Sequence, residues 1–297
     1  MMANKTQILI DTDLGDDVDD ALAIIMALQS PELEIVGITT VFGDTQKRAE
    51  MVMDLFGKCQ RKDVPVYVGH GEPLVEKLTE VREPIQYSIV EQVHTVNREM
   101  SAVDFILQSV KEYPDITIIA MGAMTNLAMA FYRDPEIMKA VKIVAMGGIF
   151  NQSVPEWNMQ CDPEAARIVM NYAENLIMFG LEVTKHCTIL EEKFQKIKER
   201  GSQQIAYFLK GVELFCQKTG FPVTLHDVAL IAYLLNPEVA VLKKSDYTIE
   251  LAGNLTRGGI VHKGNAYQLE TEAEKEFYYV QSIDLELFEK IVIEKIS

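Results

Sequence analysis

The sequence predicts an α/β fold: a doubly wound, mostly parallel sheet flanked by helices. Two observations lead to this prediction. Short β-branched runs alternate with longer segments of helical periodicity, and acids, amides and glycines gather directly after the runs. In doubly wound sheets the ligand crevice lies beyond the carboxyl ends of the strands, which is where these polar residues fall. The chain shows no internal repeat and no linker composition, so we expect one domain over residues 1–297.

The individual elements follow from the apolar periodicity. Buried strands are predicted at residues 7–11, 34–42, 64–69, 115–122, 141–148 and 175–183. Helices are predicted between them at residues 19–29, 45–59, 101–113, 125–135 and 162–173. Residues 190–236 are helical in pattern, the tail from 240 to 281 predicts shorter strands and turns, and a helix near 283–295 follows.

Composition excludes several classes of protein. A net charge of −16 argues against binding to nucleic-acid phosphates, which requires clustered Lys and Arg. The chain has no apolar run of about 18 residues and no signal-peptide pattern. Its four cysteines are scattered without a metal-binding spacing, which is typical of reduced thiols. We therefore expect a cytoplasmic protein with neither a nucleic-acid nor a membrane partner.

An acidic loop follows the first strand. Six aspartates lie between Asp11 and Asp20, with no Lys or Arg among them. Asp11 and Asp13 point to the same side of a strand, whereas Asp19 and Asp20 stand where a helix begins. Capping of that helix explains one or two aspartates, but not six. The burial of several carboxylates requires a counter-charge, and a hard divalent cation supplies one.

This loop is not an EF-hand. Counted from Asp11, such a loop requires Gly at its sixth position and Glu at its twelfth, where this chain has Asp16 and Leu22. A metal site assembled from distant loops is the remaining interpretation.

Two later segments carry further candidates. Glu156 and Asn158 follow the fifth predicted strand and are two residues apart, so they can point the same way; a solvated loop is the alternative. His226 and Asp227 directly precede an apolar helical run. Asp227 is then either a helix cap or a metal ligand, and His226 either a bystander or a proton donor.

Taken together, these segments resemble the inosine–uridine preferring nucleoside hydrolase family. That family opens with Asp-Thr-Asp-Pro-Gly-x-Asp-Asp-Ala after a strand. Here residues 11–21 have the same frame, with Leu14 for the Pro and two additional residues before the final Asp-Asp-Ala. The resemblance continues in order through residues 37–44, 118–128, 144–166 and 225–232.

The resemblance implies a calcium-dependent hydrolase that cleaves ribonucleosides to free base and ribose, built on a Rossmann-like core. It assigns metal binding to Asp13, Asp20, the carbonyl of Met121, and Asp227. It makes Asp13 the general base as well, and it places His226 near the leaving base. It assigns ribose binding to Asp19, Asp44, Asn151, Glu156 and Asn158. The family often forms dimers or tetramers, so a homo-oligomer is expected.

Three differences from the family pattern limit which of its residue roles can be assigned to this chain. Asp16 and Asp17 have no family counterparts, and an alignment that uses them instead of Asp19 and Asp20 is an open alternative. Asp44 replaces an Asn, and the placement of Asn151 is approximate because its loop is shortened. A loop rich in His and Gly that usually follows the third strand is not evident, so base preference is the property least readily transferred.

Two rival functions remain. A haloacid-dehalogenase-like, magnesium-dependent phosphatase also opens with strand-Asp-x-Asp, and would use Asp11 as nucleophile and Asp13 as general acid. A catalytically silent module that binds calcium and ribose is the non-enzymatic alternative.

Overall fold

The computed structural model describes residues 5–93, 95–96, 99–189, 195, 198–199, 201–262 and 277–296. Its strands are β1 (Thr6–Thr12), β2 (Leu33–Thr40), β3 (Val66–Val68), β4 (Thr117–Ala120), β5 (Lys142–Met146), β6 (Asn175–Phe179), β7 (Ala240–Lys244), β8 (Tyr247–Ile249), β9 (Ile260–His262) and β10 (Tyr278–Ile283). Its helices are α1 (Asp19–Gln29), α2 (Thr45–Lys58), α3 (Ala102–Glu112), α4 (Thr125–Arg133), α5 (Pro135–Met138), α6 (Trp157–Cys161), α7 (Pro163–Tyr172), α8 (Leu181–Thr184), α9 (Gln203–Thr219), α10 (Val228–Leu235) and α11 (Leu285–Ile296).

The main sheet has eight strands in the order β3-β2-β1-β4-β5-β6-β10-β7. Every neighbouring pair in it is parallel except β10 with β7, which closes one edge antiparallel. Strands β8 and β9 form a separate antiparallel pair. The prediction of a doubly wound, mostly parallel sheet is confirmed.

The order of the strands reverses at β1, whose neighbours are β2 on one side and β4 on the other. Asp11, near the end of β1, is in register with Thr39 of β2 and with Ala120 of β4. Such a reversal separates the loops that leave the two strands and opens a crevice between them. The acidic loop and the loop after β4 therefore border the crevice.

Helices cover both faces of this sheet. Because side chains alternate along a strand, successive residues pack against the helices of opposite faces. Ile8 and Ile10 pack into a core with α1, α2, α9, α10 and α11, whereas Leu9 packs into the opposite core with α3, α4 and α7. All three side chains are fully buried. Each contributes roughly 2 kcal/mol through the apolar surface it removes from water.

Some strands and helices end at residues other than those predicted from the sequence, and these differences have local causes. The strand predicted over residues 175–183 ends at Phe179, because Gly180 caps the short helix α8. The helix predicted over 125–135 divides at Asp134, which caps α5 with Pro135 in its first turn. Of the helical pattern over 190–236, residues 190–194, 196–197 and 200 lie outside the described residues, and the rest contains α9 and α10. In the described part of the chain, no helix has the length and apolar character needed to cross a membrane.

Candidate active site

Three buried carboxylates meet beyond the carboxyl end of β1. Asp19 and Asp20 form the first turn of α1, and Asp227 directly precedes α10. One carboxylate oxygen from each of the three lies within 4.8 Å of those from the other two. Chain segments more than 200 residues apart in sequence thus place three negative charges in one buried position.

The protein supplies too few hydrogen-bond donors for these oxygens. Asp19 Oδ2 accepts from the backbone N–H of Asp227 at 2.8 Å, and Asp20 Oδ1 accepts from the hydroxyl of Thr12. Asp227 Oδ1 is buried and has no partner among the described residues. Such an oxygen is costly unless something else binds it. The carboxylate set therefore fits a hard divalent cation.

The pKa values of these three aspartates also indicate a site that lacks a positive charge. Burial first, and then the charge of neighbouring aspartates, raises the pKa values of Asp19 and Asp227 well above the usual range. Burial raises the pKa of Asp20 to about 6, although the Thr12 hydrogen bond opposes the rise. A bound cation would favour the ionised forms and reverse these shifts.

Asp13 lines the same crevice and lies against the backbone of Gly122. A Cβ atom added to Gly122 would stand 2.8 Å from Asp13 Oδ1, so only glycine leaves room for this carboxylate. Burial, and next the charge of Asp20, raises the pKa of Asp13 well above its usual range, whereas Arg48 lowers it. A buried carboxylate with a raised pKa is suited to accept a proton.

Arg48 is a residue of this site that the sequence patterns did not identify. Its side chain is only 2% exposed. Its Nε donates to the carbonyl of Phe42 at 2.7 Å, and Nη1 donates to the carbonyls of Leu14, at 3.0 Å, and Asp13. Its Nη2 lies 2.6 Å from Asp16 Oδ2. The guanidinium of Arg48 therefore fixes the acidic loop through hydrogen bonds to the main chain of that loop.

A signal for Arg48 was present in the sequence. Positions 48, 52 and 55 lie on one face of α2, and Val52 and Leu55 are fully buried core residues. A charged residue at such a position requires a buried partner. Its placement on the apolar face of α2 therefore marks it as a structural or functional cation.

Residues 85 and 86 contact the acidic loop. They belong to the segment after β3, where the family has a loop rich in His and Gly. Gln86 donates its backbone N–H to the carbonyl of Gly15 at 2.9 Å, and Ile85 donates to Asp16 Oδ1 at 3.3 Å. Lys218, near the end of α9, donates to the carbonyl of Ile85 at 2.7 Å. This segment joins the two-residue insertion to α9.

Glu156 and Asn158 form a third wall. Glu156 caps α6 and accepts hydrogen bonds from the backbone N–H groups of Gly148 and Asn158, each at 3.1 Å. The side-chain amide of Asn158 donates to the carbonyls of Met121, at 2.6 Å, and Met146, at 3.2 Å. Both side chains are thereby fixed in orientation, and the carbonyl of Met121 faces this site.

These walls enclose one cavity of about 440 Å³. Eight predicted site residues line it: Asp13, Asp19, Asp20, Met121, Glu156, Asn158, His226 and Asp227. The remainder of its lining comprises Asp16, Asp17 and Thr219 together with six apolar residues: Ile85, Met146, Trp157, Leu181, Phe215 and Phe221. No Lys or Arg of the described residues lines it.

Two predicted residues do not line this cavity. Asp44 accepts a hydrogen bond from the backbone N–H of Lys47 at 3.1 Å as the cap of α2, and it lines a different cavity. Asn151 is exposed in the turn after β5. A ribose-binding role for either residue stays a prediction.

His226 is a half-buried residue of the cavity wall. Its imidazole lines the cavity, and burial lowers its pKa to about 4. The sequence prediction assumed an ordinary histidine pKa. The lowered pKa favours the neutral ring, which has one N–H donor and one nitrogen acceptor.

Asp11 does not reach the cavity. It is fully buried, and its Oδ1 accepts from the Thr39 hydroxyl at 2.5 Å and from the Asn126 amide at 2.7 Å. Burial raises its pKa to about 7. A phosphatase would require Asp11 to contact the substrate, and it would require cations for the phosphate, so the geometry does not support that rival.

Comparison with known proteins identifies close similarity to one family. A family model described as inosine-uridine preferring nucleoside hydrolase matches residues 8–290. The inosine-uridine preferring nucleoside hydrolase of Crithidia fasciculata is 31% identical over 280 residues, which cover 85% of this chain and 86% of that protein.

Solved structures share the fold. A purine-preferring ribonucleoside hydrolase from Gardnerella vaginalis superimposes with a TM-score of 0.82 at 26% identity, with 98% of each chain covered. A plant nucleoside hydrolase superimposes with a TM-score of 0.85 at 24% identity, over 99% of each chain, and shows the fold alone.

Proposed function

The chain belongs to the inosine-uridine preferring nucleoside hydrolase family and is an enzyme that hydrolyses the N-glycosidic bond of ribonucleosides, and from the site geometry we propose which residues do this and with which ion. The observation that carries the assignment is the unpartnered, buried Oδ1 of Asp227 beside the carboxylates of Asp19 and Asp20. A hydrolase that holds such a group needs a cation to complete its site.

We propose calcium as that ion, with Asp13, Asp20, Asp227 and the carbonyl of Met121 as its ligands. Mixed carboxylate and carbonyl oxygens from separate loops suit the flexible coordination of calcium better than the strict octahedron of magnesium. When bound, the ion supplies positive charge that lowers the pKa of a neighbouring water.

The protein's own residues would then act as follows. Asp13 accepts the proton of the attacking water, since its carboxylate lines the cavity beside the proposed ion. Asp19, Glu156 and Asn158 hold the ribose hydroxyls. The carboxylates around the sugar stabilise the positive charge that develops as the C1′–N bond breaks. The ring of His226 faces the leaving base.

The direct test is release of reducing sugar from a panel of purine and pyrimidine nucleosides. We expect ribose from inosine and uridine, loss of release with a chelator, and recovery with calcium. Recovery with magnesium but not calcium would contradict the choice of ion. Tight ribose binding without ribose release from any nucleoside would favour the silent binding module.

We further propose that residues 1–297 form one domain that works as a homo-oligomer, a dimer or tetramer, in the cytoplasm. The match of one family model to residues 8–290 supports a single domain. The thiols of Cys161 and Cys187, free and buried, support a reducing compartment. Light scattering coupled to size-exclusion chromatography tests the oligomeric state, and a monomeric mass would overturn it.

A further inference from the structure

Thr184 is packed directly behind His226. It is the last residue of α8 and is fully buried. Its Oγ1 lies 2.8 Å from Nδ1 of His226, a distance typical of a hydrogen bond. Two chain segments 42 residues apart are thus joined at the cavity wall.

The direction of this hydrogen bond follows from the other possible acceptors of the hydroxyl. The carbonyl of Gly180 lies 3.2 Å from Thr184 Oγ1, but it already accepts the backbone N–H groups of Val183, at 3.2 Å, and Thr184, at 3.1 Å. The hydroxyl would share this oxygen with both N–H groups, and 3.2 Å is the longer of its two oxygen or nitrogen contacts, so the 2.8 Å contact to Nδ1 is favoured. The sulfur of Met146, at 3.8 Å, is a weak acceptor. The closest and best free acceptor is Nδ1 of His226.

A neutral imidazole that accepts at Nδ1 carries its proton on Nε2. Because Thr184 holds Nδ1 at the wall and the ring lines the cavity, Nε2 is the ring nitrogen left for a ligand. We propose that Thr184 is a positioning residue that holds His226 in the Nε2–H tautomer, aimed at an acceptor atom of the departing nucleobase.

This inference rests on the proposed function and specifies how the base leaves. As the C1′–N bond breaks, its electron pair passes to the base. The Nε2–H group hydrogen-bonds the base and stabilises that charge, and solvent water then supplies the proton that the free base acquires. His226 keeps its own proton throughout, so no imidazolate forms.

The tautomer is tested without reference to activity. Ring ¹⁵N shifts of the intact protein distinguish protonated from unprotonated nitrogens, and five histidines are few enough to assign with a His226→Gln variant. We expect His226 to show an unprotonated Nδ1 and a protonated Nε2, and Thr184→Val to shift the ring toward a mixture. A protonated Nδ1 in the unaltered protein would overturn the proposal.

Kinetics test the consequence for the leaving group. Thr184→Val removes the hydroxyl at constant shape, and Thr184→Ser retains it. With inosine, we expect Thr184→Val to lower kcat about 10- to 100-fold with KM within about threefold, and Thr184→Ser to restore most of the loss. With 4-nitrophenyl β-D-ribofuranoside, whose leaving group needs no donor, Thr184→Val should stay within about threefold of the unaltered enzyme.

An equal loss of kcat on both substrates, or no loss with inosine, would overturn the role of Thr184. Failure of the unaltered enzyme to release ribose from either substrate is a different result. It would overturn the proposed function and the catalytic consequence together, while the ring shifts would still decide the tautomer.

Discussion

The guanidinium of Arg48 lies 2.6 Å from the carboxylate of Asp16, and the same side chain donates to the main-chain carbonyls of Asp13 and Leu14. The acidic loop therefore contains a cation from the protein itself. This cation holds the shape of the loop, and its charge lowers the pKa of Asp13. Oδ1 of Asp227 has no partner among the described residues and is left for the metal ion proposed above.

Replacing Arg48 should destabilise the fold. Arg48→Met leaves the buried carbonyls of Asp13, Leu14 and Phe42 without this donor, so the free energy of unfolding should fall by about 3 kcal/mol. Urea unfolding followed by circular dichroism measures this. Asp16 is about one-third exposed, so Asp16→Asn, the control, should cost less than about 1.5 kcal/mol and retain turnover. Equal costs for the two variants would contradict a main-chain role for Arg48.

Adding one methyl group at Gly122 should disable Asp13. The new Cβ would stand 2.8 Å from Asp13 Oδ1 and would displace the carboxylate, so we expect Gly122→Ala to lower kcat at least about 100-fold. Gly57→Ala is the matched control, because a Cβ there meets nothing within 4 Å. It should leave kcat unchanged and stabilise the protein by up to about 1 kcal/mol. Full activity in Gly122→Ala would show that the Asp13 position is not critical.

The two alignments of the acidic loop make different predictions for metal affinity. If Asp20 is a ligand, Asp20→Asn should weaken calcium binding about 100-fold in isothermal titration calorimetry. The matched variant Asp17→Asn removes the same charge from the cavity lining, and should weaken binding less than about tenfold. The reverse order would favour the alignment that uses Asp16 and Asp17.

Stability should fall more steeply with pH in the metal-free protein than in the metal-bound protein. Burial raises the pKa of Asp11 from 3.8 to about 7, so the metal-free native state binds this proton more tightly than the unfolded chain. The free energy of unfolding then falls as pH rises toward and through 7. His226, with its pKa lowered to about 4, gives the opposite slope only below about pH 6.5, where the unfolded ring titrates.

The measurement is the Tm of chelated and calcium-saturated protein between pH 6.5 and 8. Chelated protein should lose stability across this interval, and calcium should reduce the loss because it favours ionised carboxylates. Asp11→Asn should flatten the slope of the chelated form. A Tm that increases with pH in the chelated protein would contradict the assignment.

The sequence predicted the parts of the site that depend on local periodicity. Asp13 and Met121 follow strands β1 and β4, and parallel strands bring such positions to one edge of a sheet, so their proximity follows from the fold class alone. Strand ends such as Phe179 were less predictable. There Gly180 caps the short helix α8 and the strand ends, although the apolar run continues.

The missed residues depend on contacts between distant segments. Arg48 meets Asp16 across 32 residues, and Thr184 meets His226 across 42. Neither pair has a sequence spacing that predicts the contact, because each contact depends on how the helices pack against the sheet. The apolar residues Phe215 and Phe221 were missed for the same reason, since only the packing of α9 and the chain beyond it brings them to the cavity.

The cavity wall has two origins with different freedom to change. Its charged side comes from the ends of strands and the starts of helices, which the central sheet holds in place. Its apolar side comes from Ile85, Phe215 and Phe221. The segments that carry these three residues are joined by the hydrogen bond from Lys218 to the carbonyl of Ile85. If the base binds on the apolar side as proposed, substitutions of Phe215 and Phe221 would alter its space while the carboxylates stay on the sheet and its helices. Relatives of one ancestry can therefore diverge in base preference while they keep a single way of breaking the bond to ribose.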